Sequence, residues 1–136
     1  MQNLFISIIM LLLPLEVPTT NVEIEESSNL EELGVVTVTT YKPISGETDS
    51  TPNVTASGFK ISRKNPKKHR IIAVSRDLKR KLRFGQRVRL RNAGKYNGEY
   101  VVRDVMNKRY RKRIDILINP KDKQTTIAKV KIYKVK

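Results

Sequence analysis

The chain has 136 residues, with 28 Lys and Arg against 13 Asp and Glu, a formal charge of +15, and no cysteine. The lack of cysteine excludes a disulfide framework, a thiolate metal site and a lipid-modified cysteine. The charge points to a polyanionic partner: nucleic acid, an anionic membrane face or an anionic cell-wall polymer.

The charge is unevenly spread. Residues 1–41 contain no Lys or Arg and six acids, whereas residues 42–136 hold all 28 bases and seven acids, a balance of +21. This asymmetry marks an acidic leader joined to a basic domain. Leu4 to Leu15 form a twelve-residue run, apolar except for Ser7 and closing near Pro14. Such a run suits the core of a secretory signal and is short for a membrane-spanning helix. No basic residue precedes it. Residues 1–20 are therefore expected to be a signal peptide or membrane anchor, helical around Leu4–Leu13, and the protein to be exported to the periplasm or cell envelope. Membrane association would run through residues 4–15. Residues 21–34 are acidic and polar and predict an irregular linker.

From Val35 onward about 100 residues remain, enough for one small domain. Period-two alternation dominates there, the mark of strands with one face in a core. It is clear over Val36–Tyr41, Arg87–Arg91 and Ala128–Tyr133. Further strands are predicted at Arg70–Val74, Glu99–Arg103 and Arg113–Ile118, with one short helical turn at Arg76–Leu82. Turn signals at Asn65-Pro66, Phe84-Gly85, Asn97-Gly98 and Asn119-Pro120 separate them. Six short strands in about a hundred residues predict an all-β fold, a small closed six-stranded barrel over residues 35–136.

Within the basic domain, two aspartates eleven residues apart stand out: Asp104, after Tyr100-Val101-Val102, and Asp115, between Ile114 and Ile116. A carboxylate beside β-branched residues is poorly placed for simple solvation. It is paired, hydrogen-bonded, or kept protonated for acid chemistry. Lys108, Arg109, Arg111, Lys112 and Arg113 lie between the two, so structural ion pairs are one reading and a catalytic pair the other.

The segments VTVTTYKP (36–43), TASG (55–58), IIAVSRDL (71–78), FGQRVRL (84–90), GEYVVRDVMNKRYRKRID (98–115) and AKVKIYKV (128–135) carry a family likeness. In this order they resemble the 3D domain, a double-psi β-barrel of bacterial cell-wall enzymes similar to those of MltA-type lytic transglycosylases and RlpA-like proteins. The resemblance spans Val35 to Val135. Of the three aspartates that name the family, two match at Asp104 and Asp115. At the position of the first stands Ser75, with Asp77 the nearest acid.

The resemblance implies a lytic transglycosylase acting on peptidoglycan without a cofactor. Such an enzyme cuts the β-1,4 bond between N-acetylmuramic acid and N-acetylglucosamine, leaving a 1,6-anhydro product. One acid serves twice, protonating the leaving oxygen and then taking the proton of the attacking C6 hydroxyl. A second carboxylate stabilises the oxocarbenium-like transition state. Asp115, in the more apolar setting, is expected to be the acid, Asp104 the supporting carboxylate and Asp77 a third catalytic candidate. The basic side chains between them are expected to reach away from the acid.

Tyr41 either stacks on a sugar ring or packs under the following loop. Thr55, Ser57 and Gly58 either meet substrate hydroxyls or form a simple turn, and Ser75 joins them as a substrate-contacting candidate. Glu47 and Asp49 lack the ligand count of a calcium loop, and His69 is expected at the surface, so no metal is implied. Three functions compete: a glycan-cutting enzyme, a barrel that binds peptidoglycan without cutting it, and a nucleic-acid-binding domain. The apolar leader and the few aromatics on basic strands argue against the last.

Overall fold

The computed structural model describes residues 12–14, 26–44 and 53–136. Six strands form: β1 (Leu30–Tyr41), β2 (Ile71–Val74), β3 (Arg87–Arg91), β4 (Gly98–Val105), β5 (Arg113–Leu117) and β6 (Thr126–Val135). They close into a barrel in the order β1-β5-β2-β4-β3-β6. The β1–β5 and β2–β4 pairs are parallel and the other pairs antiparallel. All six strands overlap segments predicted as strands from the sequence.

Alternation decides which side chains enter the barrel. Val36 and Val38 of β1, Ile114 and Ile116 of β5, and Val130 and Ile132 of β6 all belong to the interior cluster. A four-residue helix, α1 (Arg76–Lys79), follows β2 and buries Leu78 against that cluster, with Leu82 just beyond it. Its N-cap residue, Ser75, is fully buried, and the Ser75 hydroxyl accepts the N–H of Arg113 at 3.1 Å. Ser75 is therefore a strut between β2 and β5.

The barrel begins earlier than the sequence predicts. Leu30 to Gly34, expected in an irregular linker, are the first part of β1 and pair with β6. Glu31 lies opposite Lys134 in the register, which sets opposite charges across from each other where the acidic segment joins the basic sheet. The preceding helical turn at 26–28 is tied down as well. Glu26 forms an ion pair with Arg89, and Lys136 donates its N–H to the carbonyl of Asn29 at 2.9 Å. Of the expected leader helix over Leu4–Leu13, only residues 12 and 13 are described, and they carry no regular secondary structure. The rest of it, and Glu47 and Asp49, lie outside the described residues. Among the described residues no helix is long and apolar enough to cross a membrane.

A second apolar cluster lies on the outer wall: Tyr41, Ile61, Ile71, Ala73, Met106 and Leu117. It explains why β2 is buried along its whole length, on both faces. Two segments cover this wall, residues 53–62 and the loop following β4.

Candidate active site

Four residues on adjacent strands stand in one row across the outer wall. Thr39 of β1 pairs with Asp115 of β5, Asp115 pairs with Ala73 of β2, and Ala73 pairs with Asp104 of β4. The two aspartates thus flank one alanine. Neighbouring strands are about 4.8 Å apart, so two strand spacings separate their backbones by roughly 10 Å. Alanine between them leaves the space above the sheet open.

Asp104 reaches this wall through a bulge. Ile72 pairs with Val102, yet the next residue, Ala73, pairs with Asp104, so Arg103 is skipped. Val102 is fully buried in the barrel interior. Strict alternation would put Asp104 on the same side, a carboxylate in the core. The extra residue turns it outward. Asp115 needs no such device. Ile114 and Ile116 point into the barrel, so Asp115 between them points out. The isoleucines therefore do not form the apolar surroundings expected from the sequence. They occupy the opposite face.

Both aspartates line a cleft of about 620 Å³. Tyr41 and Ala73 contribute to its floor, and Val54, Ala56 and Ile61 of the 53–62 segment form one wall. Met106, Asn107, Arg109 and Tyr110 form the other, and Arg76 of α1 reaches in at the edge. A smaller depression of about 300 Å³ beside Tyr96 and Ile127 contains Lys95 and Lys123 but no carboxylate.

The two carboxylates meet different partners. Oδ1 of Asp104 accepts the backbone N–H of Ala56 at 3.0 Å and of Val105 at 2.9 Å. Backbone N–H groups can only donate, so these contacts favour an ionised Asp104. Oδ1 of Asp115 lies 3.0 Å from the hydroxyl of Thr39, which is also 3.4 Å from the carbonyl of Ile114. A hydroxyl both donates and accepts. Thr39 can donate its hydrogen bond to the Ile114 carbonyl and accept one from a protonated Asp115. This hydroxyl is thus compatible with either protonation state of Asp115.

Tyr41 is only 6% exposed, its ring among the apolar side chains of the outer cluster. That placement excludes sugar stacking on its face. Its hydroxyl is buried and faces the Asp104 carboxylate, with which it interacts as a hydrogen-bond donor. Burial, then the charges of Asp104 and Asp115, hold the phenol well above its ordinary pKa of 10.0. It keeps its proton.

The other expected residues lie elsewhere. Thr55, Ser57 and Gly58 form a turn closed on itself. The hydroxyls of Thr55 and Ser57 are 2.9 Å apart, Thr55 Oγ1 accepts the N–H of Phe59 at 3.1 Å, and Gly58 has φ +82°. None of the three lines the cleft, although Ala56 between them does. Ser75 is sealed beneath the wall. Asp77 also misses the cleft: its two carboxylate oxygens lie 3.0 and 3.3 Å from the N–H of Lys112, a residue at φ +47°. Burial would raise the Asp77 pKa, but hydrogen bonds from Ser75 and the backbone N–H groups of Lys112, Asp77 and Leu78 outweigh it and lower the value. Asp77 is a loop clamp. His69, expected at the surface, is half-buried, and its Nε2 accepts the N–H of Ser62 at 3.0 Å.

The cleft also holds residues that the sequence did not single out. Arg109 donates to the Tyr110 hydroxyl at 2.6 Å, and the guanidinium groups of Arg109 and Arg113 lie over the Tyr110 ring at 4.7 and 4.9 Å. Arg109 thus does not turn away from the carboxylates' cleft, contrary to expectation, and Arg76 joins it. Aromatic–cation stacking holds Arg109 there. Among the described residues, no group of three or more His, Cys, Asp or Glu could hold a metal ion. No known family's sequence model, no curated protein and no solved structure matches the chain.

Proposed function

We propose that this cleft cuts the glycan strands of peptidoglycan as a lytic transglycosylase, on a barrel of the 3D type with double-psi topology. The observation that carries the reading is the placement of Asp104 and Asp115 on either side of Ala73, facing one cleft. The order of the sequence segments and the two parallel pairings, β1–β5 and β2–β4, support the barrel type. Asp115 is the acid, because its neighbour, the Thr39 hydroxyl, donates a hydrogen bond to the carboxylate and can accept one from the protonated acid. It protonates the leaving oxygen, and as carboxylate it then takes the proton of the attacking C6 hydroxyl. Asp104, held ionised by two backbone donors, stabilises the positive charge that develops on the sugar ring. The site needs no third carboxylate, since Ser75 and Asp77 hold β2, α1 and β5 together. A substrate outside the cytoplasm agrees with an export signal in residues 1–20, and the +21 balance of the domain suits a polymer bearing peptide carboxylates.

One observation favours a second reading, in which the barrel binds the glycan without cutting it. Arg76 and Arg109 line the same cleft, and nearby cations favour ionised carboxylates that hold no proton to give. Mass analysis of purified peptidoglycan after incubation with the full chain decides between the two. Anhydro-muramyl ends establish the transglycosylase, and reducing ends indicate a hydrolase. Uncut polymer that co-sediments with the protein establishes the binding module.

A further inference from the structure

We infer that the side of the barrel opposite the cleft, where β3 meets β6, docks on an anionic lipid surface through Arg91, Lys129 and Lys131. The inference goes beyond the proposed chemistry and does not depend on it. In the closed order β1-β5-β2-β4-β3-β6 the cleft is centred on Asp115 of β5 and Ala73 of β2, and the β3–β6 pair stands half-way round the barrel from them. Leu90 and Ile132 point into the core, so their neighbours Arg91 and Lys131 face solvent. The register sets these two cations directly opposite each other. Like charges in that relation destabilise a sheet. Lys129 and Lys131 flank the buried Val130 and are both exposed, which brings a third cation to the pair. The side-chain amide of Asn92 donates to the Lys129 carbonyl at 2.9 Å and ties this part of β6 to the turn after β3.

The acids of this wall are engaged at its other end. Glu99 pairs with Arg87 and, at 2.8 Å, with Arg89, and Glu26 also pairs with Arg89. Among the described residues no acid forms an ion pair with Arg91, Lys129 or Lys131. The wall is therefore divided along its length, balanced at Arg87 and Arg89 and uncompensated at Arg91 and Lys131. A surface of fixed negative charge relieves the repulsion that the register imposes there.

Apolar groups beside these cations identify the surface as lipid. Lys131 has Arg91 on one side and Val35 of β1 on the other, and Val35 is 50% exposed. The Arg91 guanidinium lies over the Tyr133 ring at 5.1 Å. Cations next to a valine and an aromatic ring suit the boundary between headgroups and acyl chains, where charge meets phosphate and the apolar groups meet hydrocarbon. A nucleic acid would need open aromatic faces for its bases, and Arg91 covers Tyr133. The apolar run Leu4–Leu15 would bring the chain to the same kind of surface. Docked by this wall, the barrel turns its cleft away from the lipid.

The test is co-sedimentation of the full chain with two kinds of vesicle, phosphatidylcholine alone and phosphatidylcholine mixed with phosphatidylglycerol at about 3:1. The apolar run acts on both, so the ratio of the two affinities reports the charge. Wild type should favour the anionic vesicles about a hundredfold, from about fivefold for each of the three cations. The triple variant Arg91→Gln/Lys129→Gln/Lys131→Gln should lose most of that preference. A second triple variant, Arg80→Gln/Lys108→Gln/Arg111→Gln, removes the same charge from exposed positions after α1 and in the loop after β4, and it should keep the preference. Lys131→Gln alone leaves the Arg91–Tyr133 stack in place and should lose about fivefold, which keeps the test open if the first triple variant fails to fold. Equal losses in the two triple variants would assign the attraction to net charge and overturn the docking wall. Wild type without a preference for the anionic vesicles overturns it as well. If a short DNA duplex binds more tightly than the vesicles at the same ionic strength, and the first variant abolishes that binding, the wall is a nucleic-acid site and the lipid assignment falls. Each outcome can be read whether or not the cleft cuts glycan.

Discussion

His69 accepts a hydrogen bond from the backbone N–H of Ser62 at 3.0 Å, so one wall of the cleft is fastened to a titratable ring. The same imidazole meets Phe59 edge-on, with ring centroids 5.1 Å apart, and both partners belong to the 53–62 segment. Ser62 N–H can bond only to an unprotonated nitrogen. Burial, and then the charge of Lys68, hold the His69 pKa below its ordinary value of 6.5.

A pH dependence of stability follows. Between the lowered folded value and 6.5 the unfolded chain binds the proton that the folded chain refuses. The contribution of His69 is complete above 6.5 and is lost as pH falls through that window. His69 is the only histidine in the chain, so no other side chain with an ordinary pKa titrates there. The urea midpoint should therefore be lower at pH about 5.5 than at about 7.5. His69→Gln keeps an acceptor for Ser62 without a titrating group and should abolish the difference. A difference of equal size in the variant would assign it elsewhere.

Ala73 should be intolerant of size. It lies between the two aspartates in the register, and any larger side chain there projects into the cleft floor. Ala73→Leu is expected to cost about 1–3 kcal/mol through overpacking against the outer cluster. Its effect on glycan cleavage should be larger, about a hundredfold, because it displaces substrate from both carboxylates. Denaturant titration and product release, measured on the same preparation, separate the two effects. Cleavage at the wild-type rate would place the scissile bond elsewhere.

Apart from β2, which is buried on both faces, the strands were legible because each buries one face, and alternation records that directly in residues such as Val36 and Val38 or Ile114 and Ile116. What alternation cannot record is a break in itself. Asp104 follows Val102 by two, which reads as the same face, and only the skipped Arg103 in the β2–β4 pairing turns it outward. Leu30–Gly34 escaped notice for a different reason. Its acids imitate a linker, and their partners on β6 lie about a hundred residues away in sequence. The cleft's arginines illustrate a third limit. Arg76 and Arg109 look like any of the 28 basic residues until α1 and the loop after β4 bring them together. Tyr41 could be placed on the strand, but its role depended on what covered it.

Asp77 offers a contrast between stability and function. Its carboxylate clamps Lys112 N–H, in a loop where Lys112 adopts a left-handed backbone conformation. Asp77→Ala should cost about 1.5–3 kcal/mol, the usual worth of a hydrogen bond to a charged group. The folded pKa of Asp77 is lowered, so its stabilisation is present above the ordinary value of 3.8 and is lost as pH falls through the folded one. Acid unfolding of the variant should accordingly be shallower over that range. Cleavage per folded molecule should change little. A loss of cleavage greater than the loss of folded protein would return Asp77 to the catalytic group.

The assignment of the acid can be tested by substitutions that keep shape and change only proton chemistry. In Asp104→Asn the amide oxygen still accepts the Ala56 and Val105 N–H groups, so the fold should hold while the stabilising charge is lost. In Asp104→Ala those two N–H groups lose their acceptor, and an added cost of about 1–3 kcal/mol per unsatisfied group is expected if water does not replace it. Comparing the two variants separates the structural from the electrostatic part of Asp104. Asp115→Asn keeps an acceptor for the Thr39 hydroxyl but has no proton to give. It should lower cleavage by about 10²–10⁴-fold, the usual worth of a general acid, with thermal stability and glycan binding nearly unchanged. Asp104→Asn should reduce cleavage less, since Asp115 can still deliver its proton. Should Asp115→Asn cut at the wild-type rate while Asp104→Asn is inert, the two roles must be exchanged. Thr39 would then be only a strut of the barrel wall.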